Sequence, residues 1–194
     1  RDLRMSRGLG DVYKRQSWDC LKKISYLNSR MQAVLEYSAM AQFNTKEEFM
    51  EGNLFDFIEE YAMNILNRSD RLKVQVVRSD TEGIEMKFVP QNIAIILDNV
   101  VSNSTKYNAN ELRVLLGKDE KQYTIDFIDD GDGVSSDIAD LNELFEFGKG
   151  YTLTGTGVGL YHIKDIVEKD LQGTVTIESE PQKGFALHVR FGKV

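Results

Sequence analysis

Four polar residues at helical spacing are the first candidates for chemistry. Asn99, Asn103, Lys106 and Tyr107 lie at positions i, i+4, i+7 and i+8 of a predicted helix over about Gln91–Tyr107, so they share one face. Amide oxygens are neutral hard donors that suit Mg²⁺ together with phosphate oxygens, and a lysine adds positive charge against phosphate. Taken alone, the same pattern is more often an ordinary solvated helix face.

A second candidate begins where a predicted strand ends, at Asp129-Asp-Gly131-Asp-Gly133. Glycines let a backbone approach a ligand closely, and a carboxylate at a strand end can accept a hydrogen bond from an exocyclic amino group such as that of adenine. A calcium loop is the competing interpretation, because four acids lie close together: Asp126, Asp129, Asp130 and Asp132. The spacing excludes an EF-hand, since alternate ligand positions fall on glycine or valine and no Glu stands at the twelfth place.

The third candidate is the run Gly155-Thr156-Gly157-Val158-Gly159-Leu160, which opens onto a predicted helix. Backbone amides at a helix N-terminus attract anions, and glycines remove the Cβ atoms that would block a phosphate. The run is not the dinucleotide fingerprint, because no buried strand precedes it and Leu160 stands where that fingerprint has Gly or Ala. The chain also has no GxxxxGK[ST] phosphate loop.

The surrounding elements follow from periodicity and turn residues. Strands are predicted over 53–55, 72–78, 84–88, 112–117, 123–128, 174–179 and 185–191, with helices ending near 67 and over 91–107 and 158–169, and an irregular stretch over 129–156. In the closing strand, Phe185, Leu187, Val189 and Phe191 alternate with polar or small residues, which indicates one covered face. This mixture predicts an α+β fold, a two-layer sandwich with helices on one face of a sheet.

The first 50 residues are predicted to lie outside this domain. Residues 1–16 show no periodicity and resemble a vector-derived translation, so we expect a non-native or disordered tail and a missing native N-terminus. Residues 17–43 carry an apolar stripe at steps of four and three, which indicates a long helix that packs on a partner helix or on its own domain. The main domain is predicted over 51–194.

Composition narrows the function classes. The chain has 194 residues and a net charge of -7, with 31 acidic and 24 basic residues interspersed, so it offers no basic surface for nucleic acid. Cys20 is the single cysteine and cannot form an internal disulfide. No apolar run reaches the roughly 18 residues of a spanning helix. We expect this chain to be soluble and cytoplasmic. This expectation is compatible with a membrane anchor elsewhere in the parent protein.

Together and in this order, the three segments resemble the Bergerat-fold ATPases, the superfamily of gyrase, the heat-shock chaperone clamp, histidine kinases and the mismatch-repair clamp. The resemblance extends from about Asn53 to Phe191. It rests on an N box (Asn99–Tyr107), a first glycine box (Asp129–Gly133), an F box (Leu144–Glu146) and a second glycine box (Gly155–Leu160). Four boxes at matching separations imply the Bergerat sandwich, with a mixed sheet.

The resemblance also implies roles for individual residues. Asn103 matches the magnesium-coordinating asparagine, and Lys106 and Tyr107 match nucleotide contacts. Asp129 matches the aspartate that reads adenine, with Gly131 and Gly133 beside it. The phosphate-side loop would comprise Gly155, Thr156, Gly157, Gly159 and Leu160. The stretch 134–154 would be a mobile lid, with Gly148 and Gly150 as pivots and Lys149 as a phosphate contact.

Position 99 separates the subfamilies. Members that hydrolyse ATP place a glutamate there as general base, whereas histidine kinases commonly have asparagine, and an amide cannot take a proton. Asn99 and Lys106 are therefore the predicted catalytic residues of a protein histidine kinase that uses ATP and Mg²⁺. An ATP-driven conformational switch of the same fold, without phosphotransfer, is the alternative.

The chain departs from the histidine kinase pattern in its histidines. It contains only His162 and His188, both inside the predicted domain, and we interpret them as packing or surface residues. The phosphoacceptor histidine is therefore expected on a missing upstream region or on another chain, with a response regulator downstream. Residues 17–43 resemble the second helix of a dimerisation hairpin, which would allow a homodimer. Ser104 stands where alanine usually follows the magnesium asparagine.

Overall fold

The computed structural model describes residues 49–64, 66, 71–79, 83–118, 121–149 and 156–192. The predicted tail 1–16, the predicted helix 17–43, Gly150 and Gly155 lie outside the described residues. Three helices are described, α1 (Leu54–Asn64), α2 (Pro90–Lys106) and α3 (Gly159–Lys169), with a 3₁₀ helix at Leu141–Phe145. The strands are β1 (Met50–Asn53), β2 (Lys73–Arg78), β3 (Glu85–Phe88), β4 (Glu111–Lys118), β5 (Gln122–Asp129), β6 (Thr174–Ser179) and β7 (Phe185–Gly192). Within these ranges, no helix is long and apolar enough to cross a membrane.

Five strands form the main sheet in the order β2-β4-β5-β7-β6. β2 pairs with β4 in parallel, and the other three pairs are antiparallel. β1 and β3 form a separate two-stranded antiparallel sheet. The predicted α+β fold with a mixed sheet is confirmed.

The core lies between one face of the main sheet and the three helices. Alternate strand residues such as Val114, Phe127 and Leu187 are buried on that face. The helices contribute apolar stripes, among them Ile58 of α1, Leu97 of α2 and Ile163 of α3. The other face is polar at its centre, where Asp126 Oδ1 accepts hydrogen bonds from His188 Nδ1 (2.8 Å) and Arg190 (2.5 Å). The result is two layers, with the three described helices on one side of the sheet.

The position predicted for the first strand, 53–55, is wrong. The strand ends at Asn53, and α1 begins at Leu54. The Asn53 side chain explains the boundary. Its Oδ1 accepts hydrogen bonds from the backbone N–H groups of Phe55 (3.0 Å) and Asp56 (3.3 Å), as a helix N-cap does. Leu54 and Phe55, fully buried in the core, belong to the first turn of the helix.

Candidate functional site

The polar face of α2 presents the predicted N-box side chains. Asn99, Asn103, Lys106 and Tyr107 are half-buried, while the opposite stripe of the helix is buried in the core. Pro90 stands at the first turn, where its missing N–H costs no hydrogen bond and its fixed φ favours a helix start. The packed stripe therefore holds the polar face in a fixed orientation.

Asn99 contacts the first turn of α3. Its Nδ2 donates to the Ile95 carbonyl at 2.9 Å, one turn back on the same helix. Its Oδ1 faces Gly159, where an added Cβ would lie only 2.8 Å from that oxygen. The structure thus brings the N box against the second glycine box, and a side chain at position 159 would displace the Asn99 amide.

Lys106 is a half-buried cation near the C-terminal end of α2. Its Nζ lies 5.3 Å from the centre of the Tyr107 ring. Burial lowers the pKa of Lys106 below the ordinary lysine value. Among the described residues no carboxylate pairs with Lys106, so an incoming anion would relieve the cost of burying its charge.

Asp129 ends β5 as a buried carboxylate, 8 % exposed. Its Oδ1 accepts hydrogen bonds from the backbone N–H groups of Gly131 (3.0 Å) and Phe185 (3.2 Å). Its Oδ2 accepts a hydrogen bond from the Ser104 hydroxyl at 2.7 Å. Three donors therefore fix the orientation of this carboxylate within the fold.

The two following acids hold the loop between α2 and β4. Asp130 Oδ1 accepts from the backbone N–H groups of Asn110 (2.7 Å) and Glu111 (2.9 Å), and the Glu111 bond contributes most to holding the pKa of Asp130 below its usual value. Asp132 Oδ2 accepts from the Asn108 amide at 2.6 Å. These acids bind the end of the N-box helix to the first glycine box.

The glycines of the first glycine box allow the chain to pack closely on itself. A Cβ at Gly131 would lie 2.6 Å from the Tyr107 carbonyl oxygen, and one at Gly133 would lie 2.3 Å from the Glu180 carbonyl oxygen. Gly133 also has a φ of 68°, which L side chains rarely adopt. Sequence reasoning assigned these glycines to ligand approach, and a role in internal packing was missed.

The predicted lid is more regular than the irregular stretch expected from sequence. It contains the 3₁₀ helix Leu141–Phe145, which Asp140 caps and in which the F-box residue Phe145 is buried. Gly148, with a φ of 72°, donates its N–H to the Gly157 carbonyl at 3.0 Å, so this end of the lid contacts the second glycine box.

Lys149 of the lid is engaged by acids of the lid itself. Its Nζ lies 2.9 Å from Glu146 Oε2 and 3.1 Å from Glu143 Oε2. The hydrogen bonds to Glu146 and Glu143 raise the pKa of Lys149. A phosphate contact by Lys149, which stays a prediction, would require it to leave these two partners.

The described part of the second glycine box runs from Thr156 into α3. Gly157 has a φ of 68°, and Gly159 is the first residue of the helix. Val158 stands at the N-cap and makes no side-chain capping bond to the first turn. Leu160 packs against the core and anchors that turn. Backbone N–H groups at a helix N-terminus are the kind of group that binds phosphate, and Val158 does not cap them.

An open cavity of about 500 Å³ lies at the end of β5. Asp129 borders it, and Leu141 of the lid, Ile177 of β6 and Phe185 of β7 contribute apolar walls. Its size is that of a small-molecule site. The walls come from the sheet and the lid, so the cavity provides room beside the carboxylate and does not extend along the polar face of α2.

Sequence reasoning missed Ser104 as a site residue. It follows Leu97 and Val100 by seven and four positions, so it lies on the buried stripe of α2. A serine within an otherwise apolar stripe was the available signal. His162 lies on α3 beside Tyr161, and His188 pairs with Asp126 on the polar face of the sheet, so the structure places neither in the N box or the glycine boxes.

Solved structures of histidine kinases share this fold. The catalytic domain of histidine kinase ThkA superposes with a TM-score of 0.61 at 19% identity, covering 75% of this chain and 98% of that one. Acinetobacter baumannii histidine kinase AdeS gives a TM-score of 0.59 at 14% identity, covering 84% and 76% of the two chains. The ATP binding domain of PrrB from Mycobacterium tuberculosis gives 0.58 at 18% identity, covering 75% and 98%.

A curated relative is the sensor protein kinase PilS of Pseudomonas aeruginosa. The two are 27% identical over 172 residues, which cover 85% of this chain and 31% of PilS. The chain therefore spans about a third of the length of this relative.

The family comparison covers the whole candidate site. Residues 88–193, more than half of the chain, match the family described as histidine kinase-, DNA gyrase B- and HSP90-like ATPases. This segment runs from the end of β3 through β7 and so includes α2, the first glycine box, the lid and α3. The predicted resemblance to Bergerat-fold ATPases, and among them to histidine kinase catalytic domains, is confirmed, and the chain belongs to the family of histidine kinase-, DNA gyrase B- and HSP90-like ATPases.

Proposed function

We propose that this domain binds Mg·ATP and donates its γ-phosphoryl group to a histidine of a two-component sensor kinase. The observation that carries the proposal is the Asp129 carboxylate, buried at a strand end and fixed by three donors. One acceptor direction on its Oδ2 is left for an exocyclic amino group such as that of adenine. Membership in an ATPase family and a curated relative named a sensor protein kinase support the same function.

The phosphate groups would extend from Asp129 along the polar face of α2. Lys106 supplies a positive charge that is already partly desolvated, so its attraction for phosphate is stronger than that of a fully hydrated lysine. The uncapped first turn of α3 offers backbone N–H groups and a helix dipole to the same anion. Gly157 and Gly159 keep side chains away from that turn.

The donor set of the site fits a magnesium ion that arrives with the nucleotide. Mg²⁺ usually takes one or two protein oxygens and completes its shell with phosphate oxygens and water. Asn103 offers one amide oxygen on the polar face of α2. In the described ranges no group of three or more His, Cys, Asp or Glu side chains could hold a metal ion without the nucleotide. When bound, the ion would neutralise negative charge on the phosphate oxygens.

Asn99 supports transfer to a side chain rather than to water. An amide cannot accept a proton from water, and Asn99 Nδ2 is already bonded to the Ile95 carbonyl. In the proposed step an imidazole nitrogen attacks the γ-phosphorus and forms an N–P bond. The bond to the oxygen that bridges the β and γ phosphates breaks, ADP leaves, and the imidazole proton goes to solvent. Lys106 stabilises the charge on the transferred group.

The acceptor histidine would lie upstream in the parent protein or on another chain, with a response regulator as the next acceptor. The test has two parts. The full chain is first titrated with a fluorescent ATP analogue in Mg²⁺, and Asn103→Asp is expected to weaken binding about tenfold or more, because it adds a negative charge against the phosphates. Asn64→Asp, at an exposed position at the end of α1, is the matched control.

The second part supplies a separately produced histidine-bearing hairpin of the parent protein and γ-labelled ATP. Acid-labile, alkali-stable label on that hairpin is the expected result. No binding of the analogue by the unmodified chain would overturn the assignment of ATP. Binding without label on the histidine would favour the alternative, a nucleotide-driven conformational switch.

A further inference from the structure

Ser104 and Asp129 are the two buried polar residues in the described part of the chain, 1 % and 8 % exposed. They are hydrogen-bonded to each other, with the Ser104 hydroxyl donating to Asp129 Oδ2 at 2.7 Å. Burying a hydroxyl and a carboxylate costs free energy unless each finds a partner. We propose that Ser104 is a positioning residue, which aims the Asp129 carboxylate at an amino group on carbon 6 of a purine. This inference rests on the proposed binding of ATP.

The acceptor sites of Asp129 show why one hydroxyl matters. A carboxylate offers about four lone-pair directions, two on each oxygen. Oδ1 takes two backbone N–H donors, from Gly131 and Phe185, so its directions are filled. Oδ2 takes the Ser104 hydroxyl and keeps one direction. Only a donor fits there, because an acceptor such as the carbon 6 oxygen of guanine would face a negatively charged oxygen.

Ser104 restricts the Asp129 side chain more tightly than the backbone donors do alone. The last side-chain torsion of an aspartate is broad, and both carboxylate oxygens turn together about it. The Ser104 bond, at 2.7 Å, is the shortest of the three and comes from a buried side chain on a packed helix, so it narrows the range of that torsion. Ser104 also follows Asn103 directly, so one rigid helix sets the distance between the base-reading carboxylate and the residues proposed to face phosphate.

The experiment compares two nucleotides that differ only at carbon 6. Dissociation constants are measured for ATP and for purine riboside triphosphate, which lacks the amino group, with the full chain and with Ser104→Ala. We expect Ser104→Ala to weaken ATP binding roughly three- to tenfold and to leave the binding of purine riboside triphosphate unchanged. Thr174→Ala, at an exposed position of β6 at the opposite end of the sheet from Asp129, is the control and should change neither constant.

Equal weakening of both nucleotides would overturn the inference, because a general packing defect does not distinguish them. The inference would also be overturned if Ser104→Ala kept the full preference of the unmodified chain for ATP over purine riboside triphosphate. If thermal melting shows that Ser104→Ala is unfolded, Ser104→Cys carries the same measurement, since it keeps a side chain at this position and weakens the donor. The unmodified chain reports on the proposed function separately: failure to bind ATP there would overturn that function first.

Discussion

The proposed base end and the proposed phosphate end of the candidate site hold their polar groups in different ways. At the base end, comprising Ser104, Asp129, Gly131 and Phe185, the carboxylate is satisfied by three donors from the protein itself. At the phosphate end, comprising Asn99, Lys106, Gly157 and Gly159, a half-buried cation has no carboxylate partner among the described residues. Val158, at the N-cap of α3 there, makes no side-chain capping bond to the first turn.

This difference indicates which parts of the site exist before the ligand arrives. The base end is formed by the fold and needs little rearrangement to read a base, which favours specificity. At the phosphate end the Lys106 charge has no carboxylate partner among the described residues, so an anion would be attracted there, at the expense of stability in the free protein. Substitutions at the two ends should therefore have different signatures in binding and in thermal stability.

The largest expected effect is that of Asp129→Asn at the base end. An asparagine amide has one acceptor oxygen and one NH₂ group, so it cannot accept from three protein donors and a ligand donor together. We expect ATP affinity to fall by about a hundredfold and the melting temperature to drop, because a donor is then left facing a donor in the interior. Titration with a fluorescent ATP analogue and thermal melting measure both.

Asp137→Asn is the matched control for this change, because Asp137 is exposed and, among the described residues, its carboxylate accepts a hydrogen bond from nearby Ser135. It should leave both readings unchanged. If Asp129→Asn bound ATP with normal affinity, the base end would contribute nothing to recognition. The distinction between the two ends would then be wrong.

The second effect is that of Lys106→Met at the phosphate end, where binding and stability should move in opposite directions. Losing the cation should weaken ATP binding roughly tenfold or more. Burial holds the pKa of Lys106 below its ordinary value of 10.5, so the charged form is disfavoured in the folded protein. At neutral pH its charge therefore costs stability, and Lys106→Met should raise the melting temperature of the nucleotide-free chain.

The pH dependence follows from the sign of that pKa shift. A group with a lowered folded pKa contributes stability above its unfolded pKa and loses that contribution as the pH falls through the folded pKa. The gain in melting temperature from Lys106→Met should thus shrink as the pH rises from neutral toward 10.5. A lower melting temperature for Lys106→Met at neutral pH would contradict the view of this end as destabilised. Lys73→Met, at an exposed strand position, is the control.

The periodicity of apolar residues in the sequence predicted most of the positions of the strands and helices. β6 was predicted at Thr174–Ser179, where it is found, and α2 was predicted within one residue at each end. The start of α1 was misplaced because Asn53 looks like a strand residue until its side chain is seen to cap the next turn. Capping depends on where the chain turns, which alternation of apolar residues does not reveal.

Motif reasoning found the candidate site but not how its parts support one another. Asp130 and Asp132 were weighed in the sequence only as members of a competing calcium loop, yet they bind the loop after α2. Ser104 read as a tolerated replacement for alanine, yet it bonds Asp129 from 25 residues away in the chain. Such contacts join elements that are distant in sequence, so spacing within one segment cannot predict them.

The smallest expected effect is that of Gly159→Ala, and it tests whether the two ends are separable. The added Cβ would lie 2.8 Å from Asn99 Oδ1, so the Asn99 amide must turn away from its bond to Ile95. Reorienting one side chain costs little, and alanine suits a helix better than glycine, so the melting temperature should change little. We expect ATP affinity to fall about threefold, because Asn99 leaves the phosphate end.

Binding of AMP separates the effects of Gly159→Ala on the two ends, since AMP keeps the base but lacks the two outer phosphates. Its affinity should stay unchanged in Gly159→Ala if the base end is held by the fold alone. Gly192→Ala, where an added Cβ meets no atom within 4 Å, is the control for a glycine substitution as such. Equal losses for AMP and ATP would mean that a displaced Asn99 disturbs Asp129 through α2, and the base end would then depend on the phosphate end.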